Sequence, residues 1–264
     1  NDFVCSLYNW HYTLLDAKYP GKGGYEVRSL HNPFGNKRNF ILCGGSDAAG
    51  DKMAVERLAA KIKALPAGKN LKLGYIADVK LDPAYVVPED AKDVKLWEQS
   101  IGYGNQGYFG WNSLSKNLAL FYVTGKKHYA DEFLRLAFPK DKATEQELFK
   151  RDGEAYKDDF SDPIKSVYHY CGIMMILYWD LVEESPVWTE ADRKKVNEAF
   201  YRQLHYTLTK KDSSNPYRFA DTKVKRGIDR HLDWEGVALY AVARYFDNHF
   251  PCPEAKEAFR LVRN

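Results

Sequence analysis

The chain has 264 residues, of which 45% are hydrophobic and 28% charged, so it holds enough apolar material for one large or two modest packed domains. Its 39 basic and 36 acidic residues are evenly spread and leave a net charge of only +3, so no nucleic-acid partner is expected. No apolar run approaches the roughly 20 residues that a membrane-spanning helix needs. The sequence therefore predicts no membrane span.

Residues 1–90 are predicted to be a small α/β module, irregular and rich in turns outside its few elements. Alternating side chains predict a strand at Tyr25–Leu30. The short apolar run Asn39–Cys43, a Gly-Gly turn and a helix over about 51–65 form one strand–turn–helix unit. A further strand is expected at Leu71–Ile76.

Residues 91–264 are predicted to be a helical domain, because apolar side chains recur there with helical spacing. Thr124-Gly125 indicates a helix end, Thr189 a capped helix start, and Pro163 the first turn of a long helix. The helices follow one another in pairs joined by short turns, as in bundles, helical solenoids and α/α toroids. The predicted helices lie near 91–101, 111–124, 127–137, 145–152, 163–184, 190–210, 232–248 and 254–263.

The cysteines and histidines show no metal-binding pattern. The four cysteines are far apart, and the histidines share no metal-ligand spacing, so neither a metal nor a cofactor is expected. The chain begins at Asn1 without a signal sequence, as a processed export product or a trimmed chain would, and a secreted or periplasmic location is expected. The 19 tyrosines and 6 tryptophans suit either sugar-binding grooves or half-buried helix seams.

Three segments share features with one enzyme family. They are 111–133, which starts Trp-Asn-Ser-Leu and contains Thr-Gly before a Tyr-Ala helix; 178–193, which starts Tyr-Trp-Asp-Leu; and 230–246, which starts Arg-His-Leu-Asp-Trp-Glu. They resemble α/α-toroid polysaccharide lyases of the heparinase II/III and alginate lyase kind. Residues 32–47 are also similar to the small α/β module that precedes the catalytic domain of some carbohydrate-active enzymes.

The resemblance implies a mainly α fold, an incomplete α/α toroid of antiparallel helix pairs preceded by a small α/β module. It also implies cleavage of an acidic, uronic-acid-containing glycan by β-elimination. The chain has too few helices for a full toroid, so further domains are expected beyond Asn264. One departure is that Arg230 stands where the family commonly has Asn before the histidine.

Elimination on a uronate requires a group that neutralises the carboxylate, a base for the C5 proton and an acid for the leaving oxygen. His231 is the candidate base or neutraliser, and Arg230 is a candidate for binding the carboxylate. The resemblance further implies that the amide of Asn112 acts on the carboxylate and that a tyrosine is the acid, for which Tyr240 is the candidate. Alternatively, His231 is a surface histidine in a salt-bridge patch with Asp229 and Asp233. The candidate substrate-binding residues are Arg226, Trp111, Tyr108, Trp234, Glu235 and His169.

Two other functions remain open. A glycoside hydrolase on the same fold would use two carboxylates, with Asp229, Asp233 and Glu235 as candidates. A non-catalytic protein would bind a glycan through the aromatic side chains alone.

Overall fold

The computed structural model describes residues 2–10, 12–68, 72–87, 112–152, 159–167, 169–211, 217 and 230–262. The side chains of residues 2–4, 169–171 and 230–234 lie outside this description. Within it the protein is mainly helical, with one small antiparallel sheet. No helix in the described part of the chain combines the length and the apolar character needed to cross a membrane.

The amino-terminal part holds the sheet. The strands β1 (Tyr25–Leu30), β2 (Phe40–Gly45) and β3 (Ala77–Lys80) pair in the order β2-β1-β3, with both neighbours antiparallel to β1. Helix α2 (Ala48–Lys63) covers one face of the sheet, where Val27 and Ala54 are fully buried. The predicted strand Tyr25–Leu30 is confirmed, as are the strand and the helix that follow it. The predicted Gly-Gly turn is wrong, because Gly44 and Gly45 pair with β1 as the end of β2 and the chain turns at 46–47 instead.

Two further predictions for this region are wrong. Residues Asp2–Asn9 form a helix, α1, where irregular chain was expected, and Leu7 of α1 is buried in the main core. No strand forms over the described residues 72–76, because pairing with β1 begins at Ala77, opposite Arg28. In both cases a distant packing partner decides the local structure, and the local pattern could not contain that partner.

The helical part contains eight helices in the described residues. They are α3 (Ser113–Thr124), α4 (Lys127–Ala137), α5 (Lys142–Asp152), α6 (Pro163–Ser166), α7 (His169–Val182), α8 (Glu190–Thr209), α9 (Arg230–His249) and α10 (Pro253–Val262). Most of the predicted helices are confirmed to within three residues; that near 91–101 lies outside the described residues. The single helix expected at 163–184 is instead two helices, because Val167 has an extended backbone (φ −57°, ψ 135°) that interrupts the helical hydrogen bonding.

The predicted helix ends rest on local chemistry. Gly125 ends α3 in the left-handed conformation at φ 68°, which glycine adopts at little cost. The Thr189 side chain accepts a hydrogen bond from the Asp192 backbone N–H, and the Asp192 carboxylate accepts one from the Thr189 N–H, so both residues cap α8. These two positions are confirmed in detail.

The long helices α7 and α9 are parallel. Near their carboxyl ends, Trp179 Nε1 lies 3.3 Å from the Tyr245 hydroxyl. Near the amino end of α7, Val167 lines the same cavity as Leu239 and Val242 of α9. Residues near the start of α7 therefore lie beside the middle of α9, and residues near the end of α7 lie beside the end of α9. The two helices run in the same direction, from one end of the domain to the other.

Helix α3 runs in the same direction. It packs against α7, and its Tyr122 ring lies 6.0 Å from the ring of Tyr178, with both tyrosines in the last turns of their helices. Helices α4 and α10 follow α3 and α9 after two or three residues and pack back against them. Helix α8 returns antiparallel to α7, because Asn197 in its first half bonds Trp179 and Gln203 in its second half lies beside Gly172. The helical part thus consists largely of hairpins whose first helices point the same way.

The sheet lies at the carboxyl end of the parallel helices. Arg28 of β1 is buried, its guanidinium is 3.6 Å from the centre of the Tyr122 ring, and it donates a hydrogen bond to the Tyr122 carbonyl near the end of α3. Residues on both sides of this contact, including Tyr12 and Leu30, belong to the same core as the helices. The sheet and the helices are therefore joined through buried contacts at this end.

Candidate functional site

Four of the sequence-predicted site residues stand at the amino-terminal ends of the parallel helices. Arg230 and His231 are the first two residues of α9, His169 is the first of α7, and Asn112 immediately precedes α3. Since these helices are parallel, their starting points lie at the same end of the domain. The side chains of His169, Arg230, His231 and Trp234, and the whole of Tyr108, Trp111 and Arg226, lie outside the described residues.

Asn112 is buried at this end of the domain and caps the start of α3. It is 3% exposed, and its Oδ1 accepts a hydrogen bond of 2.9 Å from the backbone N–H of Ser115. The Ser115 hydroxyl lies 3.0 Å from the Asn112 backbone nitrogen, which donates to it. Asn112 is therefore the cap of α3, an arrangement that satisfies helix N–H groups which otherwise have no partner.

Glu235 and Tyr240 are packed further along α9. Lys210 Nζ donates to Glu235 Oε1 at 2.9 Å, and the two side chains are 4% and 8% exposed, so this is a buried ion pair. Tyr240 stacks on Trp10 with ring centres 5.8 Å apart and meets the edge of Phe259 at 5.4 Å. Nine residues separate Tyr240 from His231, which corresponds to about 14 Å along a helix axis.

A cluster of buried polar side chains occupies the opposite end of the same helices. Asp180, near the end of α7, is its centre: it accepts hydrogen bonds from the Tyr12 hydroxyl and from His249 Nε2, the latter at 2.7 Å. Arg244 donates to the Tyr12 hydroxyl at 3.0 Å and lies 3.9 Å from Asp180. Burial and the Asp180 carboxylate raise the pKa of Tyr12 well above its ordinary value, so this phenol stays protonated.

Glu183 and His31 continue the cluster. Glu183 Oε2 accepts a hydrogen bond from the Tyr245 hydroxyl, and burial raises the pKa of the Glu183 carboxyl. His31, directly after β1, places Nδ1 3.6 Å from Glu183 Oε1 and 3.4 Å from Glu184 Oε1. The Glu183 carboxyl, with help from Glu184, raises the pKa of His31. The ring of His31 stacks on that of His249 with centres 4.7 Å apart.

Three buried atoms of this cluster have no hydrogen-bond partner among the described residues: His31 Nδ1, Glu183 Oε1 and His249 Nδ1. One potential ligand atom from each of these three residues lies within 4.8 Å of the others. Two imidazoles and a carboxylate are a ligand set that transition-metal ions accept. We call His31, Glu183 and His249 the His-Glu-His cluster.

A cleft of about 440 Å³ opens beside the cluster, between the sheet and α7. Its polar lining includes Tyr12, His31 and Asp180, and its aromatic lining includes Phe40 and Tyr75. The cleft is large enough for a small polar ligand and gives solvent access to His31, whose side chain is 34% exposed. The cluster is therefore buried at Glu183 and His249 and open at His31.

Sequence reasoning missed the His-Glu-His cluster. Its members come from the turn after β1, the residue just after α7 and the last residue of α9, so no short spacing connects them. The available signal was weak: Asp180 and Glu183 are acidic residues at the end of the otherwise apolar run 171–182. Acidic residues in such a place need a buried partner, but the sequence does not name it.

Comparison of the chain with protein-family models, with curated proteins and with solved structures finds no match.

Proposed function

We propose that this protein is a polysaccharide lyase that cleaves an acidic, uronic-acid-containing glycan by β-elimination at the amino-terminal end of its parallel helices. The observation that carries the proposal is that α3, α7 and α9 begin at the same end and bring Asn112, His169, Arg230 and His231 there. The hairpins with parallel first helices also support an α/α toroid, because a toroid is built from such pairs. A secreted or periplasmic location fits a polymeric substrate outside the cell.

The electrostatics of this end suit an anion. Each helix start carries the positive end of the helix dipole, which stabilises a nearby anion. At α3 the first N–H groups are already bonded to Asn112 and to the Asp152 carboxylate, so the starts of α7 and α9 are the ones proposed to face the substrate. Arg230 adds a permanent charge whose planar guanidinium matches a carboxylate in two hydrogen bonds. Together they would hold the uronate carboxylate and lower the cost of removing the neighbouring C5 proton.

His231 then carries the proton. Its neutral imidazole takes the C5 proton, the electron pair left behind forms the C4–C5 double bond, and the C4–O4 bond breaks. The same imidazole, now protonated, delivers that proton to O4, so one residue serves as base and acid. Tyr240 is left out of this scheme, because it lies about 14 Å further along α9 and packs between Trp10 and Phe259.

A glycoside hydrolase is less well supported. Of its three candidate carboxylates, Glu235 is ion-paired with Lys210 and 6% exposed, so it is poorly placed to protonate a leaving group. The Asp229 residue and the Asp233 side chain lie outside the described residues.

The test is incubation of the full chain with alginate, heparan sulfate, hyaluronan and ulvan, followed by ultraviolet absorbance of the unsaturated uronate. We expect a signal with at least one polymer, lost in His231→Ala and kept in His205→Ala, since His205 is an exposed histidine of α8. Reducing ends without an unsaturated product would indicate hydrolysis instead. Binding without any turnover would leave a glycan-binding protein, and either result would refute the lyase.

A further inference from the structure

We propose that the His-Glu-His cluster binds one divalent transition-metal ion, with the chemistry of zinc fitting best. The proposal is independent of the proposed function. His249 is the last residue of α9 and His231 the second, so the two lie about 27 Å apart along the helix. The cluster therefore belongs to the other end of the domain.

The first argument is the three unpaired atoms. A buried nitrogen or oxygen without a hydrogen bond loses its hydration without compensation, and native proteins keep such atoms rare. Here His31 Nδ1, Glu183 Oε1 and His249 Nδ1 all lack a hydrogen bond in one place, and His31 Nδ1 meets Glu183 Oε1 and Glu184 Oε1 only as ion-pair contacts of 3.6 and 3.4 Å. A metal ion that accepts a lone pair from each would satisfy all three at once.

The second argument is that two of the three side chains are already oriented by outer partners. His249 Nε2 is held by Asp180 at 2.7 Å, which leaves Nδ1 of that ring as the nitrogen with a free lone pair. Carboxylate–histidine–metal arrangements of this kind are usual around protein metal sites. Likewise the Tyr245 hydroxyl holds Glu183 Oε2 and leaves Oε1 available.

The third argument is distance. Around a tetrahedral zinc with bonds of about 2.1 Å, neighbouring ligand atoms are about 3.4 Å apart. His31 Nδ1 and Glu183 Oε1 are 3.6 Å apart, beyond a hydrogen bond but close to this separation. The stacked His31 ring has to turn to point its lone pair at the same ion as His249, and its partly exposed position allows that movement.

Charge and ligand type select the ion. The site gathers the carboxylates of Asp180, Glu183 and Glu184 around two imidazoles, and the carboxyl ends of α7 and α9 add negative dipole ends that favour a cation. Calcium and magnesium prefer oxygen ligands throughout, whereas two imidazoles and one carboxylate suit zinc and its neighbours. Three protein ligands leave a fourth position for water or a ligand, as in zinc sites that bind exchangeable groups.

The experiment is titration of the chelator-stripped full chain with zinc chloride, by calorimetry in competition with a chelator of known affinity. We expect one zinc per chain. His31→Ala, Glu183→Gln and His249→Ala should each weaken binding by more than about 100-fold, and Asp180→Asn, which changes only an outer partner, by about 10- to 100-fold. His205→Ala is the matched control and should bind zinc as the unaltered chain does.

A second measurement needs no variant, so it still tests the proposal if the ligand variants fail to fold. X-ray absorption of the unaltered zinc-loaded chain should show nitrogen and oxygen neighbours at about 2.0–2.1 Å with the outer scattering of imidazole, and no sulfur. Less than one zinc per chain, a sulfur neighbour, or equal affinity in the folded ligand variants and the His205 control would each overturn the proposal.

Discussion

The two ends of helix α9 differ in almost every property that bears on function. Its amino end carries Arg230 and His231 and lies at the same end of the domain as the starts of α3 and α7. Its carboxyl end carries His249, which contacts Asp180 and the stacked ring of His31. Helix dipoles make the first end suited to anions and the second to cations. The two proposed sites, one suited to an anion and one to a cation, would therefore lie about 27 Å apart along α9.

The largest expected effect is the loss of elimination activity in a single variant at the amino end of α9, with zinc binding at the carboxyl end unchanged. His231→Ala should lower the rate of β-elimination by about 10²- to 10⁴-fold, the usual contribution of a positioned acid–base group. Zinc stoichiometry should not change, because the metal ligands lie at the other end of α9. Steady-state rates and a zinc titration on the same sample measure both. A parallel loss of zinc would mean that the two ends are not independent.

The next effect is stabilisation by zinc, which should depend on pH. Zinc at 100 times its dissociation constant should raise the free energy of unfolding by about 2.7 kcal/mol. The pKa values of Glu183 and His31 are raised in the folded protein, so the metal-free fold binds their protons more tightly than the unfolded chain does. Metal-free stability should therefore fall as pH rises from the ordinary Glu183 value of 4.5 past the ordinary His31 value of 6.5.

Zinc competes with these protons, so its stabilising effect should grow over the same pH range. Denaturant unfolding with and without zinc at several pH values measures the two trends. Glu183→Gln should flatten the metal-free trend, since the amide does not titrate, although the nearby Asp180 and Glu184 remain. Metal-free stability that rises across this range would contradict the assignment.

A smaller effect on stability tests the buried hydrogen bonds that hold Glu183 of the His-Glu-His cluster. Tyr245→Phe removes the hydroxyl that donates to Glu183 and lies 2.9 Å from Asn197 Oδ1, and it should cost about 1–3 kcal/mol of stability. Tyr201→Phe removes an exposed hydroxyl bonded to Glu254 and should cost no more than about 0.5 kcal/mol. Urea unfolding of both variants compares them, and equal losses would show that the buried network adds nothing.

The smallest expected effect is a loss of stability at the amino-terminal end of the parallel helices, where Asn112 caps α3. Asn112→Ala removes the cap of α3 and should cost about 1 kcal/mol, whereas Asn112→Ser keeps a capping oxygen and should cost only a few tenths. If the amide also contacts the substrate carboxylate, both variants should lose elimination activity to the same degree. Activity that follows stability would assign Asn112 to capping alone.

Local chemistry explains which features could be predicted. The Thr189 cap, the left-handed Gly125 and the periodicity of Lys127–Ala137 involve residues within a few positions of one another, so the sequence contains both partners. The strand Tyr25–Leu30 was likewise visible from its alternation. For the candidate lyase site, the sequence could supply residue types and their place near helix starts, but not the alignment of those starts.

By itself, then, the sequence determined the mainly helical character, most helix bounds and several caps, because helices are stabilised by contacts between near neighbours. Only the tertiary structure decided that α3, α7 and α9 run parallel, that α1 is a helix anchored in the core by Leu7, and that the helix is interrupted at Val167. It alone also brought His31, Glu183 and His249 together. Those features depend on contacts between residues far apart in the chain, which no local pattern records.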